Sequence, residues 1–381
     1  MSRLEIHGGL VLDESFVPAP RTVVVEDGVI AALLPPGTPP QGEVLDAAGC
    51  YVLPGLCDIH LHGAMGHDLC DGDDAALDAI TAFEAAHGVT VVCPTTMTLP
   101  PETLSRVLKN AAKWKKASHP GHAVLGGIHM EGPFLSPERF GAQDPQHLRT
   151  PDADLLRGWL ADSDGLVRTM TIAPELPGAA ALIGAFPEVR FSIGHTVAGY
   201  DAAMRAFSAG ADRLTHLYNA MPPLLHRAPG PIGAGMDAGA YAELICDGVH
   251  VDGAAVRAAF RLFGAERVVL VSDSMEAAGM PDGTYQLGGQ AVTVRGTHAT
   301  LADGTLAGSV TPLYEGLRTA VRFGIALGDA VRAASRNACR AVGLDETYGS
   351  IVPGKAAHLL LASADDLALR EVVIGAPLHL A

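Results

Sequence analysis

Two rhythms of apolar and polar positions divide the chain. Over residues 1 to about 52, short alternating stretches (4–7, 22–26, 29–34, 51–53) are punctuated by Gly8-Gly9, Asp27-Gly28 and Pro35-Pro36-Gly37. A period of two between turn residues predicts short antiparallel strands in a small β module. From Leu53 the rhythm changes. Apolar runs at 53–60, 89–94, 123–130, 168–173, 189–194, 212–216, 242–246 and 267–272 alternate with amphipathic stretches such as 74–87, 101–117, 152–162, 200–209 and 252–264. Strand then helix, about eight times over, predicts an α/β chain folded as a (β/α)8 TIM barrel. The rival, an open doubly wound sheet for nucleotides, lacks a GxGxxG after its first strand. The turn residues Gly288, Gly289, Gly296, Asp303 and Gly304 within 283–308 predict hairpins over the barrel mouth, with closing helices at about 311–327 and 329–342. The tail from Gly349 is strand-like again. The expected organisation is therefore a small β-sandwich domain built from 1–52 plus 349–381, and a barrel domain over 53–348.

In such a barrel chemistry sits where strands end. The first strand ends at His60 and His62, on one face with Asp58. The third ends at His129 and Glu131, the fifth at His195, the sixth at His216 and the eighth at Asp273. One strand-end histidine is commonly a hydrogen-bonded core residue. Five strands delivering imidazole or carboxylate to one rim point instead to a divalent transition ion, with Zn2+ or Fe2+ suited to these donors. Asp273 beside an activated water has the chemistry of a general base and then a general acid; its plainer readings are a ligand or a helix cap. The five lysines, Lys109, Lys113, Lys115, Lys116 and Lys355, end no strand. A bridge of carboxylated lysine is thus excluded, which leaves Glu131 as the bridging candidate. Arg227, in the Pro-rich loop 222–229 with His226, is a candidate for bidentate phosphate binding.

Composition narrows the partners. The formal net charge of −16 argues against nucleic acid and anionic membranes. The six cysteines form no CxxC pair, and no basic stretch followed by an apolar one opens the chain. A cytoplasmic protein with reduced thiols is expected.

The segments 54–66 (PGLCDIHLHGAMG), 129–136 (HMEGPFLS), 194–196 (GHT), 215–223 (THLYNAMPP), 247–250 (DGVH), 272–283 (SDSMEAAGMPDG) and 306–309 (LAGS), in this order, resemble the amidohydrolase superfamily. Within it they resemble the N-acetylglucosamine-6-phosphate deacetylases. The resemblance implies a metal held by Glu131, His195 and His216, with Asp273 as acid and base. It implies contacts to a phosphorylated amino sugar from Ala142, Gln143, Asn219, Ala220, Arg227, His250 and the loop Leu306, Ala307, Gly308, Ser309. It also implies a homodimer, in which Arg227 reaches a neighbouring subunit's phosphate. Because His60 and His62 are present, one or two ions are expected, the second shared through Glu131. Family members commonly carry histidine where this chain has Gln143; glutamine donates a hydrogen bond but carries no charge. That opens the alternative of another N-acyl sugar, the galacto epimer or an unphosphorylated one, or another amide. A barrel that only binds a ligand is the reading from outside the enzymes, and it would require missing ligands.

Overall fold

The computed structural model describes residues 3–378. Residues 379–381 of the expected C-terminal sandwich segment, and residues 1–2, lie outside the described residues. Eight parallel strands form the barrel: Leu56–Leu61, Val89–Thr96, Ile128–Glu131, Val167–Ile172, Arg190–Ile193, Arg213–Leu214, Tyr241–Ile245 and Val268–Val271. Each pairs with the next in parallel register. Between the eighth strand and the first, the Asp273 N–H donates to the His60 carbonyl at 2.8 Å and the Ser272 N–H to the Asp58 carboxylate at 3.2 Å. The ring is thereby nearly closed.

Three of the intervening helices start where acidic side chains satisfy unpaired backbone N–H groups. Asp73 caps Asp74–Ala86, Asp152 caps Ala153–Asp162 and Asp252 caps Gly253–Phe263. The expected closing helix at 329–342 is two, Leu327–Ala334 and Arg336–Ala341. Ser335 breaks it, its hydroxyl donating to the Val331 carbonyl four residues back at 2.6 Å. Gly230–Ala238 is a helix that propensity argues against. It forms because it packs flat on the barrel: a Cβ on Gly235 would stand 2.6 Å from Leu214 Cδ1.

The small domain has two mixed sheets. One runs in the order 29–34, 22–26, 3–7, 43–46; the other runs 376–378, 369–374, 358–363, 50–54, 10–12, 18–20. Val52 pairs with Leu361, so both chain ends enter one sheet. Ile6, Val11, Val23, Ile30, Val52 and Leu359 fill the space between the sheets, all fully buried. Cys50–Pro54 leads through Gly55 directly into the first barrel strand. Strands 283–287, 290–295 and 298–300 form the hairpin insertion, turning at Gly288 and Gly289, both at positive φ.

One buried acid makes stability pH-dependent. Glu84 is fully buried on the inner face of helix 74–86, and neither carboxyl oxygen has a hydrogen-bond partner among the described residues. Burial pushes its pKa well up, and the nearby Asp58 carboxyl adds to the shift. The folded state then holds a proton that the unfolded chain releases above the ordinary glutamate pKa, so stability falls as pH rises from there toward the raised value. Each unit of elevation is worth about 1.4 kcal/mol. Glu84→Gln should therefore gain on wild type in urea melts between mildly acidic and mildly alkaline pH. Melting curves that stay parallel across that range would show that Glu84 carries no such proton.

Candidate metal centre and active site

The strand ends converge. Glu131 Oε1, closing the third strand, lies 3.0 Å from His195 Nε2 and 3.1 Å from His216 Nε2, and those two nitrogens are 3.0 Å apart. A second cluster adjoins it. Asp273 Oδ1 is 3.2 Å from His62 Nε2 and 3.5 Å from His60 Nε2. The same imidazoles face Glu131, His60 Nε2 lying 3.5 Å from Oε1 and His62 Nε2 3.4 Å from Oε2. Glu131 thus stands between the clusters (Glu131, His195, His216) and (His60, His62, Asp273), each able to offer three ligand atoms to one ion.

Backbone strain marks the same residues. His195, His216 and Asp273 have φ of 47°, 30° and 50°. This left-handed region costs a non-glycine residue about 1–3 kcal/mol, and such strain concentrates at functional sites. The kinks are pinned: Ser136 N–H donates to the His195 carbonyl at 2.9 Å and Ser309 N–H to the Asp273 carbonyl at 2.7 Å.

Three of the imidazoles are oriented from behind. His60 Nδ1 donates to Glu243 Oε2 at 3.0 Å, His62 Nδ1 to the Thr95 carbonyl at 3.2 Å and His195 Nδ1 to the Arg139 carbonyl at 2.8 Å. These partners only accept, so the hydrogens sit on Nδ1 and the Nε2 atoms face the acids. His60 Nε2 is buried there without a hydrogen-bond partner. Donors about 2.0–2.2 Å from a tetrahedral ion stand about 3.3 Å apart, close to the spacings found. The residues therefore fit a divalent transition ion. His129 belongs deeper, its Nε2 bonded to Thr171 Oγ1 at 2.7 Å; burial and His60 hold its pKa well down.

The charges are set by these neighbours. Burial opposes ionisation of Asp273, but His60 and His62 outweigh it and hold the carboxyl at about 2. Burial likewise disfavours the charged His62 ring, yet Asp273 and Glu131 raise it to about 10. Despite its burial Glu131 is held well below the usual carboxylate range by His60 and His195.

A cavity of about 460 Å3 opens on both clusters, and His62, Glu131, His195, His216 and Asp273 reach its wall. That size suits a sugar phosphate. His60 lies just beneath, fully buried. Ala142, Gln143, Asn219, Ala220, His250, Leu306 and Gly308 also line it. His250 Nδ1 donates to Asp247 Oδ2 at 2.7 Å; burial disfavours the ring's charge, but Asp247 raises its pKa overall. Ala307 and Ser309 are buried and do not line the cavity. His226 and Arg227 do not line the cavity: within one chain they stand exposed on loop 222–229, beside exposed Leu224 and Leu225. At the cavity wall the Gln143 side chain donates to Glu131 Oε2 at 2.7 Å.

Arg139 is the cation that this chain itself brings to the cavity wall, and no lysine lines it. Sequence reading passed Arg139 over, since nothing in loop 132–143 tells which side chains turn inward. Glu243 was also missed. The signal was there, in an acid in the middle of the apolar strand Tyr241–Ile245.

A profile of the amidohydrolase family matches residues 51–375. The chain is 39% identical over 351 residues to N-acetylglucosamine-6-phosphate deacetylase of Bacillus subtilis, covering 90% of this chain and 89% of that protein. It is 38% identical over 340 residues to N-acetylgalactosamine-6-phosphate deacetylase of Escherichia coli O157:H7, covering 88% and 89%. A mutant of N-acetyl-D-glucosamine-6-phosphate deacetylase from Mycobacterium smegmatis, solved in complex with N-acetyl-D-glucosamine-6-phosphate, superposes with a TM-score of 0.92 at 34% identity, over 98% of both chains.

Proposed function

The chain belongs to the amidohydrolase family, and from that premise we infer that it hydrolyses N-acetyl-D-glucosamine 6-phosphate to D-glucosamine 6-phosphate and acetate. The observation that carries the reading is the meeting of Glu131, His195 and His216, beside Asp273, at the wall of a sugar-sized cavity. In this reading the barrel, 53–348, carries the chemistry, and 1–52 plus 349–381 form the accessory domain. Glu131, His195 and His216 would hold one divalent ion, Zn2+ or Fe2+. His60, His62 and Asp273 would hold a second, with Glu131 between them. When bound, such an ion supplies a Lewis acid that polarises the acetyl carbonyl and acidifies a water.

Asp273 takes a proton from the attacking water as its oxygen adds to the acetyl carbon. It returns that proton to the sugar nitrogen as the C–N bond breaks, so acetate and a free amine leave. His250, Asn219, the backbone at Ala220 and the loop at Leu306 and Gly308 would hold sugar and phosphate, with Arg139 as the nearby cation. His226 and Arg227 would serve the phosphate across a homodimer, an arrangement supported by the exposed Leu224 and Leu225 on their loop. Six unpaired cysteines suit a cytoplasmic setting; among the described residues no helix is long and apolar enough to cross a membrane.

A second reading, the galacto epimer, is favoured by the near-equal identity of the E. coli and B. subtilis relatives, 38% against 39%. The test is acetate release from the gluco and galacto 6-phosphates and the unphosphorylated sugar, by protein stripped with a chelator and reloaded with one ion. Release from the gluco phosphate, lost on stripping and restored on loading, is the expected result. No release from any of the three would end the proposal. Loading should displace the proton that His62 retains up to about 10, so metal affinity should rise between about pH 6 and about pH 8. Chelator-competition titrations at both pH values check the sign, and a flat profile would contradict it.

A further inference from the structure

We propose that Gln143 is a positioning residue for the metal ligand Glu131, setting which of its oxygens faces which imidazoles. This deepens the metal-dependent reading above and rests on it. The Gln143 side chain is 2% exposed. Its Nε2 donates to Glu131 Oε2 at 2.7 Å, while its Oε1 accepts from the Thr98 N–H at 2.6 Å. The amide cannot flip without losing both bonds, because a reversed amide would set oxygen against carboxylate and N–H against N–H. Thr98 Oγ1 also donates to the Glu131 carbonyl at 3.3 Å, so a single residue just beyond the second barrel strand ties both partners.

The loop is held from its outer side too. Gln290, in the hairpin over the mouth, donates to the Ala142 carbonyl at 2.6 Å. The same loop presents the Arg139 carbonyl that orients His195. Two of the three residues in the Glu131 cluster therefore take their orientation from segment 139–143.

The consequence is a directed carboxylate. Oε2 accepts from the amide and faces His62, while Oε1 faces His195 and His216 at hydrogen-bond distance, with His60 farther off. A carboxylate whose second oxygen is unbound can rotate about its terminal torsion, which is broad and soft. Locking it lowers the ordering cost of binding an ion, as partners behind metal ligands do. Because an amide does not titrate, the hold on Glu131 persists at every pH where the protein is folded.

The test is metal affinity without any sugar. Zn2+ binding by chelator competition, and the visible spectrum of the Co2+-loaded protein, are measured for wild type, Gln143→Met and Gln143→Ala. Melting curves confirm that each variant is folded, and the alanine variant stands in should the methionine variant fail to fold. Both variants are expected to bind the first ion about 10–100-fold more weakly and to shift the Co2+ bands. Unchanged affinity and spectrum, with only KM for the sugar altered, would overturn the proposal and make Gln143 a substrate contact. Wild-type protein that takes up no ion would overturn the metal-dependent reading and this inference with it; a wild type that binds beside variants that bind equally well overturns this inference alone.

Discussion

Asp273→Asn is expected to lower kcat for acetate release by about 10^2–10^4-fold at saturating metal, with a far smaller change in KM. The substitution keeps the shape and one acceptor oxygen of the side chain but removes the group that can carry the proton. Wild-type Asp273 is a carboxylate that can accept the proton, and in the metal-free site His60 and His62, against the effect of burial, hold it ionised down to about 2. Its Oδ1 lies 3.2 Å from His62 Nε2, and its backbone is fixed in a left-handed kink by the His60 carbonyl and the Ser309 N–H. Asn at this position therefore changes the chemistry more than the geometry. The competing role, ligand only, makes a different forecast: activity would return as metal concentration is raised. Steady-state kinetics over a metal titration separates the two, and recovery to wild-type kcat in excess metal would refute the proton-transfer role.

The second large effect concerns the barrel interior. Arg213 and Glu243 are both fully buried, Arg213 Nε lying 3.3 Å from Glu243 Oε1, and Arg213 also donates to Thr169 Oγ1. Glu243→Leu leaves the guanidinium without its counter-charge in an apolar core, at a cost of about 3–5 kcal/mol. Arg213→Met/Glu243→Leu removes both charges and should recover most of that loss, since an apolar pair of similar volume needs no compensation. Urea denaturation of the single and double variants gives the coupling energy. If the double variant were as unstable as the summed singles, the ion pair would not be the cause. Recovered stability should come without recovered metal affinity, because Glu243 also fixes His60 through Nδ1.

The barrel was legible because short runs rich in apolar residues alternate with amphipathic stretches, and some of the helices open on an acidic cap such as Asp73 or Asp252. His195, His216 and Asp273 were legible as candidates because a polar residue closing an apolar run stands out. What the pattern cannot carry is direction within irregular backbone. Gln143 lies in a loop with no period, so nothing local tells that its amide bonds to Glu131. Helix 230–238 was illegible for the opposite reason: its glycines allow close packing, Gly235 against Leu214 and Gly233 against Pro229, and composition alone makes them look like a linker. Arg227 shows a third limit. Its residue type and loop suggested an anion contact, but a single chain leaves it exposed and away from the cavity.

The kinked backbone at His195, His216 and Asp273 has a consequence for engineering. Copying the same side chains onto ideal, straight strands of another barrel would aim them along the sheet instead of across the opening. A transplant of this chemistry must carry the bends and the carbonyl and amide anchors that pin them, and it must accept the lower melting temperature that such bends impose.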